Sequence, residues 1–217
     1  NRAKKIVWVH NDISRVFGQN IKSKIKRIID RNAYEKYDTI VFVSHDNLEK
    51  FNKFYDDMLL PKEKVINNYI DAERILRLSE EKHEEIFNKN EVNILQISRL
   101  VEQKAIGRLI NVHAKLIDEG MKHHIYIIGD GPLKEKLKNQ IKEKNVEDTF
   151  TLLGAKENPY TYMKAADFIC LFSDFEGYGM VIDEAKILKK LVFITRTAAK
   201  EALMDYSEYS KIVANDK

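Results

Sequence analysis

Two glutamates eight positions apart, Glu176 and Glu184, frame the stretch DFEGYGMVIDEA, which has the clearest potential for chemistry. Between them lie Gly177, Tyr178 and Gly179. Glycines let a backbone approach a ligand closely, and the start of a helix offers free N–H groups to an anion. We predict that a helix begins near Tyr178 or Gly179, with Glu184 one to two turns into it. There its carboxylate can accept hydrogen bonds from ribose hydroxyls, as acidic residues do in nucleotide-binding folds.

Two cations, Arg99 and Lys104, flank a loop that follows a predicted strand. A pair of cations suits a diphosphate and can neutralise it without a metal ion. Glu176 then remains to bind a further polyhydroxyl group. The combination of an anion site, a ribose acceptor and a spare carboxylate predicts a sugar nucleotide as the ligand.

Hydrophobic patterning predicts the elements that position these residues. Apolar runs without alternation are typical of parallel strands buried on both faces. Such runs predict strands at 6–10, 39–44, 64–67, 92–98, 124–129, 149–154, 167–172 and 191–195. Helical spacing of apolar residues predicts helices at about 20–37 and 45–56, and further helices around Leu109 and Leu137. The alternation of strand and helix predicts a Rossmann-like, doubly wound α/β fold with parallel sheets.

The ends of the predicted strands define a candidate cleft. Ligands of open α/β sheets bind at the carboxyl ends of the strands. The glycines and polar residues that follow the second group of strands are Arg99, Gly129, Gly131, Gly154, Ser173 and Thr195. We expect these residues to converge on one edge of the sheet.

Composition narrows the class of protein. The chain has 217 residues, 44% of them hydrophobic, which is enough for one large domain or two small ones. Its net charge of +3 is too small to imply nucleic-acid binding, and its one cysteine, Cys170, suits a reducing compartment. No apolar run approaches the ~20 residues of a membrane span, and no signal peptide opens the chain. We therefore predict a cytoplasmic protein that binds no nucleic acid.

Six motifs in a fixed order give the chain a resemblance to a known family. They are VFVSHDNLEKF, KVINNYIDAERI, SRLVEQKAIGRLI, IIGDGPLKEKL, TLLG…YTYMKAADFICLFS and DFEGYGMVIDEA. With these motifs the chain resembles the retaining glycosyltransferases of family four, the group-one glycosyltransferases of GT-B fold. The resemblance extends over nearly the whole chain. It implies two Rossmann-like domains that face each other across a cleft, with the donor held mainly by the second.

The resemblance implies a role for each candidate residue. Arg99 and Lys104 would bind the donor diphosphate together with the backbone of Gly177–Gly179, and Glu184 would hold the ribose. Glu176 would position the transferred sugar, and His10 would line the cleft from the amino-terminal side. The implied reaction retains the anomeric configuration without a glutamate nucleophile and stabilises the charge that develops on the leaving diphosphate.

The implied substrates are a UDP- or GDP-linked sugar and a saccharide or lipid-linked acceptor, with no metal or other cofactor. We expect a partial amino-terminal domain at 1–70, a linker at 71–90 and a truncated donor-binding domain at 91–217. The family's opening strand, acceptor loop and closing helix have no counterpart, so we expect a fragment that binds donor without turnover. The chain also departs from the family pattern, which has glycine where Ser98 and Ala105 stand.

Other interpretations stay open beside this one. A sugar-nucleotide epimerase of the same fold would use water in place of the acceptor, and a non-catalytic module would bind a nucleotide sugar to regulate a partner. A dinucleotide oxidoreductase is disfavoured, since the turn at 129–132 lacks the G-x-G-x-x-G pattern. His10 is as often structural as catalytic in such a position, and we expect Tyr160 and Tyr162 to serve in packing. His123 and His124 are neighbours on a strand and should face opposite ways, which argues against a shared metal.

The segment NIKSKIKRIIDR has two interpretations. Its isoleucines, Ile21, Ile25, Ile28 and Ile29, fall on one helical face, and its basic residues fall largely elsewhere. A basic amphipathic helix of this kind can lie on an anionic membrane, which would give peripheral contact at the inner face of the membrane. We favour the alternative, a helix that turns its isoleucines to the core and its lysines to solvent.

Overall fold

The computed structural model describes residues 3–16, 21–55, 63–82 and 87–215. The chain divides into two compact units. The first takes in the residues up to Tyr69 together with Phe175–Gly179 and Ala198–Glu201. The second takes in Ile70–Asp174, Met180–Thr197 and the residues from Ala202 onward. The loop that carries Glu176 therefore belongs to the first unit, whereas Glu184 belongs to the second.

The first unit is built on a parallel sheet whose described strands alternate with helices. Its elements are β1 (Ile6–Val9), α1 (Ile13–Val16), α2 (Ile21–Tyr34), β2 (Thr39–Phe42), α3 (His45–Phe54) and β3 (Glu63–Val65). The strands lie in the order β1-β2-β3, with Ile6 opposite Thr39 and Ile40 opposite Glu63. A buried cluster fills the space between sheet and helices: Val9, Ile40, Phe42, Phe51 and Tyr55.

Helix α2 does not bury the face that we expect. Ile25, Ile28 and Ile29 are 56%, 62% and 62% exposed, so the interpretation of α2 as a core-facing helix is wrong for these three residues. The side chain of Ile21 lies outside the described residues. Instead of lysines alone, this helix presents isoleucines to solvent beside basic residues such as Lys26.

The second unit is built on a larger parallel sheet. Its elements are α4 (Ala72–Ser79), β4 (Val92–Ile97), α5 (Ile106–Asp118), β5 (His123–Ile128), α6 (Lys134–Glu143), β6 (Phe150–Gly154), α7 (Tyr160–Ala165), β7 (Phe168–Leu171), α8 (Met180–Ile187), β8 (Leu191–Thr195) and β9 (Ser210–Val213). The described strands are all parallel and lie in the order β6-β5-β4-β7-β8-β9. This alternation of strand and helix confirms the predicted doubly wound α/β class.

The hydrophobic periodicity explains how the second unit packs. Helix α5 buries Ile106, Leu109 and Ile110, and α6 buries Leu137 and Ile141, against one continuous core. The strand β5 is buried from Ile125 to Ile128, as expected for a strand covered on both faces. Short 3-10 helices occur at Glu102–Lys104, Ala198–Leu203 and Ser207–Tyr209.

The segment predicted as a linker contains a helix. Asp71 caps α4, since its side chain accepts a hydrogen bond of 2.9 Å from the backbone N–H of Arg74. Residues 83–86 of the same segment lie outside the described residues. Across the part of the chain that is described, no helix combines the length and the apolar character needed to span a bilayer.

Candidate functional site

The loop after β4 lies directly on the turn after β5. A Cβ added to Gly129 would lie 1.9 Å from the carbonyl oxygen of Ser98, and one added to Gly131 would lie 2.6 Å from that of Leu100. The backbone N–H of Leu100 also donates a hydrogen bond of 3.0 Å to the carbonyl of Asp130. Glycine is required at both positions because a side chain would push the two loops apart. Arg99 is exposed in the middle of this contact.

Lys104 lies where the same loop enters α5. It is the last residue of the 3-10 helix Glu102–Lys104 and is half-buried. The next residue, Ala105, adopts a left-handed conformation with φ of 46° and ψ of 29°, and α5 begins directly after it. The glycine that the family pattern places here would adopt this conformation without strain.

The other strand ends of the second unit are joined to one another in pairs by hydrogen bonds. The N–H of Gly129 donates 2.9 Å to the carbonyl of Gly154, which has a φ of 72°. The buried Ser173 donates its N–H to the hydroxyl of Thr195 at 2.9 Å, and that hydroxyl donates back to the Ser173 carbonyl at 2.7 Å. The predicted residues at the ends of β4 to β8 therefore do meet at the carboxyl edge of one sheet.

Glu184 lies half-buried in α8 of the second unit. Helix α8 begins at Met180, slightly later than predicted, after Gly179 with a φ of 85°. Burial raises the pKa of the Glu184 carboxyl, the hydrogen bond from Tyr160 lowers it, and the neighbouring Asp183 raises it further. The hydroxyl of Tyr160 donates to Glu184 Oε1 at 3.3 Å, so the expectation that Tyr160 serves in packing is incomplete.

The loop Phe175–Gly179 packs within the first unit. Glu176 is 5% exposed. A Cβ added to Gly177 would lie 1.9 Å from the carbonyl oxygen of His10, so the end of β1 and this loop are in direct contact. The ring of His10 stacks on Trp8 with centroids 5.9 Å apart. The structure thus brings together the segments of Glu176, which the resemblance assigns to the transferred sugar, and of His10, which it assigns to the lining of the cleft.

Three residues near this loop are absent from the sequence-based predictions. Ser44 Oγ donates to the carbonyl of Gly177 at 2.8 Å. Asn47 is 2% exposed, and among the residues that the structure describes neither its Nδ2 nor its Oδ1 has a hydrogen-bond partner. The carboxylate of Glu201 accepts hydrogen bonds from the N–H groups of the first two residues of α3, at 2.8 Å for the first. Ser44 directly precedes α3, and a serine in that position is a recognisable N-cap signal. No local sequence pattern predicts the contacts of Asn47 or Glu201.

The histidines of the second unit form a hydrogen-bonded chain in the core. His113 Nδ1 and His123 Nε2 are 2.9 Å apart, and His113 Nε2 lies 2.9 Å from the hydroxyl of Thr149. His124 turns the other way, as predicted, and its Nε2 lies 2.8 Å from the hydroxyl of Thr151. Among the residues that the structure describes, no three His, Cys, Asp or Glu side chains are arranged to hold a metal. Cys170 is buried, and burial raises the pKa of its thiol to about 12.

Comparison with known proteins gives a consistent result. Residues 79–204 match the family described as Glycosyl transferases group 1. An uncharacterized glycosyltransferase from Methanocaldococcus jannaschii is 28% identical over 225 residues, covering 97% of this chain and 55% of that protein. The N-acetylgalactosamine-N,N'-diacetylbacillosaminyl-diphospho-undecaprenol 4-alpha-N-acetylgalactosaminyltransferase of Campylobacter jejuni is 32% identical, covering 91% of this chain and 52% of that protein.

Solved structures show the same fold. HepE from Anabaena, in complex with UDP, superimposes with a TM-score of 0.75 at 17% identity, covering 98% of this chain and 58% of that chain. At such low identity the likeness is one of fold. The chain spans about half the length of the curated relatives it matches.

Proposed function

The chain belongs to the group 1 glycosyl transferases and has a GT-B type of fold, and on that premise we propose its reaction. The protein transfers a sugar from a nucleotide-diphosphate donor to a saccharide or lipid-linked acceptor, with retention of configuration, in surface polysaccharide or glycoconjugate synthesis.

One observation carries the proposal for the donor. The loop of Arg99 lies on the glycine turn at Gly129 and Gly131, at the carboxyl edge of the same parallel sheet whose unit contains Glu184. Strand ends of this kind are where α/β sheets bind nucleotides. Two cations, Arg99 and Lys104, suit the diphosphate, and the carboxylate of Glu184 suits the ribose hydroxyls.

The proposed mechanism depends on stabilising the leaving group. Negative charge develops on the departing diphosphate, and Arg99 and Lys104 neutralise it in place of a metal ion. The backbone of Gly177–Gly179 supplies further N–H groups. Glu176 positions the transferred sugar through its hydroxyls, and His10 lines the cleft. The acceptor attacks from the face that the diphosphate leaves, so no glutamate nucleophile takes part.

The donor carries UDP or GDP, and UDP is the first choice for a test. The Anabaena HepE structure that shares this fold holds UDP. The name of the Campylobacter relative specifies a diphospho-undecaprenol acceptor. A lipid-linked acceptor would bring the enzyme to the cytoplasmic face of a membrane, and we propose that it works there.

Helix α2 supports a peripheral membrane contact. Its exposed Ile25, Ile28 and Ile29 follow helical spacing, and Lys26, Arg27 and Arg31 lie on the same helix. Isoleucines beside basic residues are suited to the boundary between acyl chains and anionic headgroups. We therefore assign α2 to the surface of an anionic bilayer.

Calorimetric titration with UDP, GDP and their sugar conjugates tests the donor site. We expect micromolar binding of one nucleotide, weakened about tenfold or more by Glu184→Gln, because a charged acceptor of ribose hydroxyls is lost. Glu143→Gln, an exposed glutamate at the end of α6, is the matched control and should bind as the wild type does. Absence of binding by every nucleotide, or equal binding by Glu184→Gln, would contradict the proposal.

A separate activity assay tests the reaction. When the protein converts a donor, the anomeric signal of the product in proton NMR distinguishes transfer with retention from epimerisation.

Liposome flotation tests the membrane contact. The wild type should float with vesicles that contain anionic lipid and remain in the bottom fraction of the gradient with neutral vesicles. Ile28→Ser combined with Ile29→Ser should abolish flotation, whereas Val112→Ser, an exposed apolar residue of α5, should not change it. Equal flotation with neutral and anionic vesicles would end the assignment.

A further inference from the structure

We propose that Tyr160 is a positioning residue for Glu184, whose hydroxyl fixes the direction of the carboxylate so that one oxygen faces the ribose of the donor. The inference rests on the proposed function, since it adds a second residue to the same nucleotide site. Tyr160 lies on α7 and Glu184 on α8, and both belong to the second unit.

The backbone of Tyr160 is itself anchored. It is the first residue of α7, and its N–H donates a hydrogen bond of 3.1 Å to Asn158 Oδ1. Asn158 Nδ2 donates in turn to the carbonyl of Leu78 at 2.8 Å and to Glu81 Oε2 at 3.0 Å, at the end of α4. A tyrosine has two side-chain torsions, so a fixed backbone limits the positions that its hydroxyl can take. The ring therefore starts from a fixed point on α7, and its hydroxyl reaches Glu184 without a bound ligand.

The two carboxylate oxygens of Glu184 differ in their hydrogen bonds. Tyr160 donates to Oε1 of Glu184 at 3.3 Å. Oε2 has no hydrogen-bond partner among the residues that the structure describes. A carboxylate held through one oxygen keeps the lone pairs of the other for an incoming donor, such as the hydroxyls of a ribose.

The charges around the pair favour this arrangement. Burial raises the pKa of Glu184, the hydrogen bond from Tyr160 opposes that rise, and the charge of Asp183 adds to it. Burial and the charge of Glu184 raise the pKa of Tyr160, while Arg74 of α4 lowers it, and the net shift is upward. The hydroxyl thus stays protonated and donates, and its hydrogen bond favours the ionised form of Glu184.

Tyr160→Phe isolates the hydroxyl because the ring stays. We expect the affinity for UDP at neutral pH to fall about five- to tenfold, as for the loss of one hydrogen bond to a charged group. The pKa of Glu184 should also rise in the variant. Since binding requires the carboxylate, binding should then be lost at a higher pH as the solution is acidified. Substitution of a residue that acts only in packing would not change the pH at which binding is lost.

The measurement is the affinity of the chain for UDP across pH, together with the carboxyl carbon shift of Glu184 in the free chain. Tyr162→Phe, two residues along the same helix, is the matched control and should leave both profiles unchanged.

Failure of the proposed function and failure of the role of Tyr160 give different results. If the wild type binds neither UDP nor GDP, the proposed function fails and the positioning role fails with it. If Glu184→Gln weakens UDP but Tyr160→Phe leaves the pH profile and the carboxyl titration unchanged, only the role of Tyr160 is overturned.

Discussion

Ser44 and Gly177 are 133 residues apart in the chain, yet Ser44 Oγ donates a hydrogen bond of 2.8 Å to the Gly177 carbonyl. The same oxygen accepts a hydrogen bond of 3.1 Å from the N–H of Asn47 and so caps α3. One buried hydroxyl therefore stabilises a helix start and fixes the loop that contains Glu176. Gly177 has to be a glycine at this point because the carbonyl of His10 fills the space of a side chain.

Removing this hydroxyl should destabilise the first unit. Ser44→Ala loses an N-cap, worth about 1 kcal/mol, and leaves the buried carbonyl of Gly177 without its donor, for a total of about 2 kcal/mol. Urea unfolding followed by the fluorescence of Trp8 reports on this unit, since the sequence has one tryptophan. Ser79→Ala is the control, because within the described part of the chain the hydroxyl of Ser79 bonds to the carbonyl of Leu76 in its own helix and to no other group. An equal change in both variants would contradict the dual role of Ser44.

Ala105→Gly should stabilise the second unit. Ala105 has a φ of 46°, and a left-handed conformation costs an L-residue roughly 1–2 kcal/mol that glycine does not incur. Part of this gain is offset because glycine is more flexible in the unfolded chain, so the net gain should be about 0.5–1 kcal/mol. Calorimetric melting measures it. The same substitution at Ala33, an exposed helical position of α2, should lower stability by about 1 kcal/mol, so the two variants must differ in sign.

The strands of the second unit could be predicted because each is a continuous apolar run bounded by polar residues. Strand β9 could not, since Ser210–Val213 offers four residues, two of them polar, at the edge of the sheet. The exposed face of α2 was assigned to the core because periodicity shows which residues share a face but not what that face meets. The sequence shows that Ala105 stands where the family pattern has glycine. The left-handed backbone of Ala105 explains why glycine is the usual residue there.

Part of the candidate site could likewise be predicted from the sequence, and part could not. Arg99, Gly129 and Gly154 could be placed at one edge because the ends of parallel strands meet there whatever the side chains are. The contact of Ser44 with Gly177 depends on packing between distant segments, and no local pattern encodes it. Tyr160 was assigned to packing because a tyrosine in an apolar helix gives no sign of where its hydroxyl points. Such partners become predictable only after the fold is known.

Lys50→Met should lower the free energy of unfolding, because it leaves the buried carboxylate of Asp12 without its cation. Asp12 is 1% exposed, and Lys50 Nζ lies 3.1 Å from its Oδ2 and close to Asp46. Burial lowers the pKa of Lys50, but the hydrogen bonds to Asp46 and Asp12 outweigh it and the net pKa is raised. Breaking a buried pair costs several kcal/mol, but the Lys50 side chain is 37% exposed and partly screened, so we expect a loss of about 2 kcal/mol. Lys53→Met, an exposed lysine of the same helix, should change the urea midpoint little.

The histidine chain of the second unit should make the protein sensitive to acid. Burial, together with the charges of His123 and His124, lowers the pKa of His113 to about 4. An unfolded histidine titrates near 6.5, so between about pH 6.5 and pH 4 the unfolded chain binds a proton that the folded chain does not. Stability therefore falls as the pH falls through this window, by up to about 3 kcal/mol at the lower end, and the contribution of His113 is constant above it.

Unfolding free energies measured at pH 7, 6, 5 and 4 test this dependence. His113→Gln should be less stable than the wild type at pH 7, because the bonds to His123 and Thr149 are disturbed. Its stability should nevertheless fall less steeply between pH 6.5 and pH 4, since the group that charges only on unfolding is gone. His45→Gln, an exposed histidine of α3, is the control and should keep the wild-type slope. Parallel curves for the wild type and His113→Gln would mean that the acid sensitivity arises elsewhere in the chain.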